Sequence, residues 1–243
     1  MSTATTADDH DSDGHSSHPP GAPDDHHGEA DGHAHGHKDL AHHFDSLDQQ
    51  FDAAKLGMWA FLVTEILMFG GLFAAFILFQ SFDKAVFVEA HHHLNKVLGG
   101  ANTIVLLTSS LTAVLAVRAA QLGNRKQVSM YLLATIFCAG IFLVVKYFEY
   151  SHKFHDGLLP GDYFTYPGLP QRAHVFFSLY FMMTGLHGFH VVVGICLMTW
   201  LLIRNQRGDF STQFFTPVEM VALYWHLVDL IWIYLFPLLY LVG

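Results

Sequence analysis

Cysteine is nearly missing from this chain: 243 residues contain two, Cys138 and Cys196. A disulfide framework and a four-cysteine zinc module are excluded on that ground. Charge is scarce too. Asp, Glu, Lys and Arg together make up 14% of the chain, against roughly 25% in a typical soluble domain. Basic residues are the scarcer sign, with 12 Lys and Arg against 21 Asp and Glu and a formal charge of −9. That balance argues against a nucleic-acid binder. The sequence also lacks a phosphate-cradling glycine loop, a nucleophile elbow and a Cys-x-x-Cys-His haem attachment, so the common signatures of nucleotide, hydrolase and c-type haem chemistry are absent. Apolar residues dominate instead: 52% are hydrophobic and 14% aromatic, with a mean hydropathy of +0.32. An ordinary soluble enzyme and a wholly disordered chain do not have this composition.

The charge is concentrated at one end. Residues 1–50 carry eleven acidic side chains and one basic one, Lys38, while residues 51–243 are close to neutral. Ten of the 19 histidines fall within the first 43 residues, among Gly, Ser, Pro and Asp. No apolar periodicity is visible there, so this stretch cannot bury enough surface to offset its chain entropy. Residues 1–50 therefore read as a mostly disordered, acidic, His-rich tail. The tail lacks the apolar core of a signal peptide. Imidazole and carboxylate are good metal ligands, but no fixed ligand spacing appears, so a specific metal site is not assigned to the tail.

A transmembrane helix needs about 20 mostly apolar residues. Five segments qualify, at about 56–80, 97–120, 129–150, 174–203 and 218–241. Lipid-exposed backbone must satisfy its own hydrogen bonds, so the fold class is an all-α membrane protein, a bundle of five transmembrane helices. One set of loops and ends collects Lys38, Lys55, Arg118, Arg125, Lys126, Arg204 and Arg207, and the other Lys84, Lys96, Lys153 and Arg172. This bias places the amino terminus in the cytoplasm and the carboxyl terminus outside. Trp59 and Tyr131, Tyr147 and Tyr150 lie near span ends and read as interfacial anchors. Trp59, Arg118 and Trp225 are expected at a lipid or subunit interface.

Ionisable groups inside a span are costly and face the bundle interior. Glu65 lies about 14 Å into the first span by helix rise. It is expected to be protonated or hydrogen-bonded, and reads as proton-responsive or carbodiimide-reactive. His187 and His190 share a face of the fourth span at i, i+3. They read as a buried polar pair making interhelical hydrogen bonds, with a haem or metal pair as the sharper alternative. His226 and Asp229 repeat the spacing on the fifth span. A hydrogen bond between them is the simple expectation, and a proton relay the sharper one. Glu149 and Lys146 end the third span as an ion pair, the lysine snorkelling outward. Asn102, Thr103, Thr108, Ser109, Ser110 and Thr112 give the second span a hydroxyl-rich face, the mark of a helix–helix interface.

Five stretches in order resemble subunit III of the haem–copper oxidases, most simply cytochrome c oxidase subunit III. They are Lys55-Leu56-Gly57-Met58-Trp59 running to Glu65, Ala101-Asn102-Thr103 running to Ser110, Lys146-Tyr147-Phe148-Glu149-Tyr150, Thr184-Gly185-Leu186-His187-Gly188-Phe189-His190, and Trp225-His226-Leu227-Val228-Asp229-Leu230-Ile231-Trp232. The resemblance covers residues 51–243. It implies an accessory subunit of a proton-pumping terminal oxidase in aerobic respiration, set in a bacterial inner membrane and inactive alone. Such a subunit packs on subunit I, supports proton uptake, protects the enzyme during turnover and holds phospholipid. The chain itself would bind no haem, copper or other metal. Haems and copper would lie in partner subunits, with subunit II and small subunits nearby and cytochrome c or quinol as reductant. Glu65 falls at the family's carbodiimide-reactive membrane carboxylate. The long family form has seven helices, and here the His-rich tail stands where its first two would be, as in the five-helix bacterial form. The alternatives are subunit III of a quinol oxidase, an accessory subunit of a nitric oxide reductase, a stand-alone proton-coupled transporter, and a membrane metal-handling protein that uses the tail.

Overall fold

The computed structural model describes residues 47–92, 94–158, 168–170, 172–208, 210 and 215–241, all within the second of the two units into which the chain divides, Asp39–Gly243. The expected disorder and metal binding of the tail lie outside the described residues. Among the described residues six helices follow in order: α1 (Leu47–Phe82), α2 (Lys84–His91), α3 (Lys96–Gln121), α4 (Arg125–His155), α5 (Ala173–Arg207) and α6 (Thr216–Tyr240). All but α2 are long and apolar enough to cross a membrane. The fold is therefore an all-α bundle of five membrane-spanning helices.

The helices extend past the apolar segments. Helix α1 begins at Leu47, inside the stretch read as tail. Helix α5 has 35 residues, about 52 Å at 1.5 Å per residue, well beyond a hydrocarbon core of about 30 Å. Apolar composition marks where lipid lies, whereas backbone hydrogen bonding continues until something stops it. The stops are legible. The Asn95 side chain accepts from the backbone N–H of Val97 and Leu98, both at 3.1 Å, and caps α3. Asn124 does the same for α4 through Gln127. These asparagines satisfy N–H groups that have no partner within the helix. Helix α5 ends at Gly208, whose φ of +87° is a left-handed turn that glycine adopts without a Cβ clash. A Cβ there would also meet the Arg125 guanidinium at 2.6 Å.

Helices α3, α4, α5 and α6 form a closed ring, each packed on the next and α6 returning to α3. Helix α1 lies outside this ring against α5 and α6. Its buried apolar residues are Leu62, Phe69 and Phe76, a single stripe at seven-residue spacing. Its remaining large apolar side chains, from Leu56 to Phe82, are mostly exposed, as suits a helix with one protein face. The short α2 is not among the elements the sequence predicts. It has only eight residues and rests on tertiary packing, since isolated helices this short are marginal. Phe87 anchors it edge-on to Phe76 of α1 and Phe176 of α5, at 5.3 and 5.4 Å between ring centroids.

Helix α6 is the most enclosed element, with Trp225, Val228, Trp232, Leu235, Leu239 and Tyr240 fully buried. Gly194 of α5 makes room for it: a Cβ there would stand 2.5 Å from the Trp225 ring. The hydroxyl-rich face of α3 is the seam with α4 and α6. Trp225 Nε1 donates to Ser109 Oγ and Trp232 Nε1 to Thr103 Oγ1, both at 3.0 Å. Ser109 donates to the Thr135 carbonyl, and the Thr112 and Thr135 hydroxyls meet at 2.8 Å. Trp225, expected at an interface, is instead a core residue. Its indole spans the bundle because Ser109 supplies the acceptor that a buried indole N–H needs.

Candidate functional site: two carboxyls within the spans

The first carboxyl belongs to Glu65, and the partner the fold brings to it is His190. Helix α1 presents Glu65 to α5, where His190 Nε2 stands 2.9 Å from Glu65 Oε2. The other ring nitrogen, Nδ1, is 2.8 Å from the Leu186 carbonyl of its own helix. A carbonyl only accepts, so Nδ1 carries the hydrogen. Nε2 then has two states. It holds a lone pair facing a protonated Glu65, or a second N–H facing a carboxylate. The contact is close enough for an ion pair, yet no hydrogen bond is directed at Glu65 Oε2. The pair is bordered by Phe69, 5.4 Å from the His190 ring, and by Tyr224, which donates to the His190 carbonyl at 3.0 Å. Beside it opens an apolar cleft of about 350 Å³ between α1, α5 and α6, lined by Met58, Phe61, Phe189, Val193, Met220 and Tyr224 among others.

The second carboxyl, Glu149 on α4, is enclosed. Its Oε1 accepts from Tyr240 at 2.6 Å, Tyr180 at 2.9 Å and Lys153 at 3.3 Å, and its Oε2 accepts from Lys146 at 2.9 Å. Lys146 also donates to the Tyr240 hydroxyl at 2.7 Å and sits 4.6 Å over the Trp232 ring. The pair at Lys146 and Glu149 forms, but the lysine does not snorkel: it is 8% exposed and turned into the core. Lys153, counted with the loops in the sequence, is likewise buried within α4. Charges this deep persist only when paired and hydrogen-bonded, and both conditions are met. Tyr180 and Tyr240 are members of the cluster that sequence reasoning misses. A sequence signal exists: Lys146, Glu149 and Lys153 share one helix face at i, i+3 and i+7, and a face with three charges needs polar neighbours.

The remaining residues separate. His187 is fully buried, and neither ring nitrogen has a hydrogen-bond partner among the described residues. It packs against Phe142 and Trp232 at 5.5 and 5.3 Å. The expected interhelical hydrogen bonds are therefore absent at His187, while His190 bonds its own helix and meets Glu65. Equal spacing puts both rings on one face but gives them different neighbours. The expected bond between His226 and Asp229 is also not formed. His226 is half-buried, less enclosed than expected, and its Nδ1 lies 2.6 Å from Ser110 Oγ of α3. Asp229 is buried with both oxygens unpartnered among the described residues. Trp59 is 58% exposed on α1. Arg118 is exposed at the end of α3 and lines a cleft with Gln121, Glu219 and His226.

A haem would need an axial ring nitrogen open to iron. His190 has both nitrogens engaged and His187 is wedged between aromatic rings, so the pair does not fit a haem. Among the described residues, no group of three or more His, Cys, Asp or Glu is placed to hold a metal ion.

Comparison with known proteins places this geometry. Residues 40–243 match the family described as cytochrome c oxidase subunit III. The cytochrome c oxidase subunit 3 of Thermostichus vulcanus is 32% identical over 191 residues, 78% of this chain and 88% of that protein. The quinol oxidase subunit 3 of Bacillus spizizenii is 31% identical over 189 residues, 77% of this chain and 86% of that protein. The heme-copper oxidase subunit I+III of Aeropyrum pernix is 34% identical over 200 residues, which cover 79% of this chain and 23% of that longer protein.

Proposed function

The chain belongs to the cytochrome c oxidase subunit III family, and from that premise we propose that it is the non-catalytic subunit III of a proton-pumping terminal oxidase. It is a multi-pass membrane protein and part of a terminal oxidase complex that associates with subunit I. The observation that carries the association is the relative in which subunits I and III are one polypeptide. The exposed apolar faces of α1, α3 and α4 offer ample surface for protein and lipid. Haems and copper reside in the partner subunits, subunit II and small subunits complete the assembly, and phospholipid fills the apolar clefts. The membrane is the bacterial inner membrane, with the amino terminus cytoplasmic and the carboxyl terminus outside, as the Lys and Arg distribution favours.

Within that role, Glu65 is the proton-responsive, carbodiimide-reactive group. Carbodiimides are apolar reagents that attack protonated carboxyls. The Glu65 side chain is 14% exposed, meets His190 at 2.9 Å and lines an apolar cleft, so an apolar reagent can reach it. Glu149 and His187 are structural.

Gentle detergent purification through this chain, followed by a visible spectrum and an oxygen-uptake assay, tests the reading. An a-type haem spectrum, a large co-purifying subunit and oxygen uptake with reduced cytochrome c are expected. Relatives named quinol oxidase subunit 3 are nearly as similar as those named for cytochrome c. A b- or o-type spectrum with quinol-driven uptake would select that branch. A colourless single polypeptide that stays folded alone would overturn the subunit reading.

A further inference from the structure

Asp229 is the one acid in the bundle core with nothing directed at it among the described residues: it is 3% exposed and neither oxygen accepts a hydrogen bond. The polar groups around it are better matched. Ser109 pairs with Trp225 and with the Thr135 carbonyl, and Thr103 pairs with Trp232. A buried carboxyl without donors is carried at least cost with a proton on it. That proton needs a source, and a route exists. Ser110 of α3 faces the side of α6 that carries His226 and Asp229 at i, i+3, with its hydroxyl 2.6 Å from His226 Nδ1. His226 in turn lines a cleft of about 270 Å³ at the Arg118 end of α3. The polar series from that cleft to the core is imidazole, hydroxyl, carboxyl.

We propose that Asp229 is a second proton-exchanging carboxyl within the membrane, loaded from the Arg118 cleft through His226 and Ser110. The transfer balances without any redox partner. A proton from water in the cleft binds His226 Nε2. The hydrogen on Nδ1 passes to Ser110 Oγ, and Oγ releases its own hydrogen to a carboxylate oxygen of Asp229. The ring is left neutral, with its hydrogen on the other nitrogen, and the carboxylate has become the acid. Discharge runs in reverse. A hydroxyl suits the middle position because rotation about its Cβ–Oγ bond aims the hydrogen at the ring or at the carboxyl in turn. The other groups near Asp229 do not compete for this role. Cys138 on α4 is a weak donor. His187 on α5 packs on the Trp232 ring, one turn further along α6. Arg118 and Glu219 line the cleft, where they set the local charge at the entrance.

The site differs from that of Glu65, which lies against α5 beside another cleft. The inference extends the subunit reading without depending on it. Exchange is read in the infrared spectrum of the carboxyl, whereas the subunit reading is tested by co-purified haem and oxygen uptake. The experiment uses the purified complex containing the full chain, transferred from H2O to D2O. The wild type should show a neutral-carboxyl band that shifts on deuteration and that Asp229→Asn removes. Ser110→Ala and His226→Phe should retain the band but slow its exchange about tenfold or more, the effect of losing one hydrogen-bonded step. If Asp229→Asn does not assemble, the Ser110→Ala and His226→Phe rates still decide. The proposal is overturned by a band that does not exchange in the wild type, by the absence of any band sensitive to Asp229→Asn, or by wild-type exchange rates in both relay variants.

Discussion

Glu65 and Glu149 are both carboxyls in helices built for a membrane, and the bundle treats them in opposite ways. Glu149 accepts from two lysines and two tyrosines, contributed by its own helix, α5 and α6. Glu65 has one histidine beside it and a cleft along it. The difference follows from where the helices sit. Helix α4 is a member of the closed ring, so partners reach Glu149 from both sides. Helix α1 rests on the outside with one buried stripe, so Glu65 has protein on one side only. A carboxyl whose acceptor positions are all filled by fixed donors locks helices together. A carboxyl with spare acceptor capacity beside an apolar opening is free to exchange a proton or meet a reagent.

The largest effect is expected from removing the charge at the enclosed site. Glu149→Gln leaves Lys146 and Lys153 facing the same amide without a counter-charge, and two tyrosine hydroxyls lose their charged acceptor. Uncompensated charge of this kind costs about 3–5 kcal/mol. Loss of the chain from the purified complex, or a collapse of its thermal transition, reports the effect. The double variant Glu149→Gln with Lys146→Met should recover part of that loss. If the single variant assembles like the wild type, the cluster does not hold the ring closed.

Close packing gives the next effect. Gly194 lies where α5 meets α6, and a Cβ would enter the Trp225 ring at 2.5 Å. At Gly188, six residues earlier on the same helix, a Cβ would meet nothing within 4 Å. Gly194→Ala should therefore destabilise by about 1–3 kcal/mol, while Gly188→Ala stays near neutral or gains from helix propensity. Thermal unfolding of the complex compares the two. Equal effects would mean that the α5–α6 seam yields to a methyl group without cost.

These contrasts are only partly legible in the sequence. The five spans stand out because hydropathy is local: each is a run of apolar side chains that needs no knowledge of its neighbours. Glu65, Glu149, His190 and Asp229 stand out for the same reason, as polar residues inside such runs. Their partners do not. Ser110 is 116 residues from His226 and Tyr240 is 91 from Glu149, distances that only tertiary packing closes. The i, i+3 rule pairs His226 with Asp229 and treats His187 and His190 as alike, because a shared helix face says nothing about what stands opposite. The same limit applies to Trp225. Tryptophan favours interfaces when its N–H seeks water, but Ser109 answers that need from the next helix.

At the open site the expected effect is on chemical labelling. Glu65→Gln keeps the side chain's shape and should cost less stability than Glu149→Gln, because the histidine beside it is a smaller partner set than two lysines and two tyrosines. It should nevertheless abolish carbodiimide modification in the first span, read by peptide mapping, and leave haem content and most oxygen uptake intact. Persistent labelling of the chain would direct attention to Asp229 as the reacting acid. Loss of haem would contradict the accessory role.

The smallest effect is expected at His91, outside the spans on α2. It is 2% exposed, its Nδ1 contacts the Val88 carbonyl, and its ring lies 4.2 Å from that of His92. Burial holds its pKa below the ordinary 6.5, with the charges of His92 and Lys96 acting in the same direction and the Val88 contact opposing. A histidine lowered in the folded state binds fewer protons there than in the unfolded chain just below pH 6.5. Its contribution is therefore intact above that value and declines as the pH falls through 6.5 toward the folded pKa. Proteolysis between α1 and α3 should rise modestly over that interval. His91→Asn supplies an amide donor for Val88 without a titrating ring, so it should flatten the dependence. Because α2 packs on α5 and α1 at the end far from Glu65, carbodiimide labelling of Glu65 should be the same in His91→Asn and the wild type at each pH. A change in labelling would mean that α1 is held to the ring through α2, and that the openness of the Glu65 site is set there rather than by its own cleft.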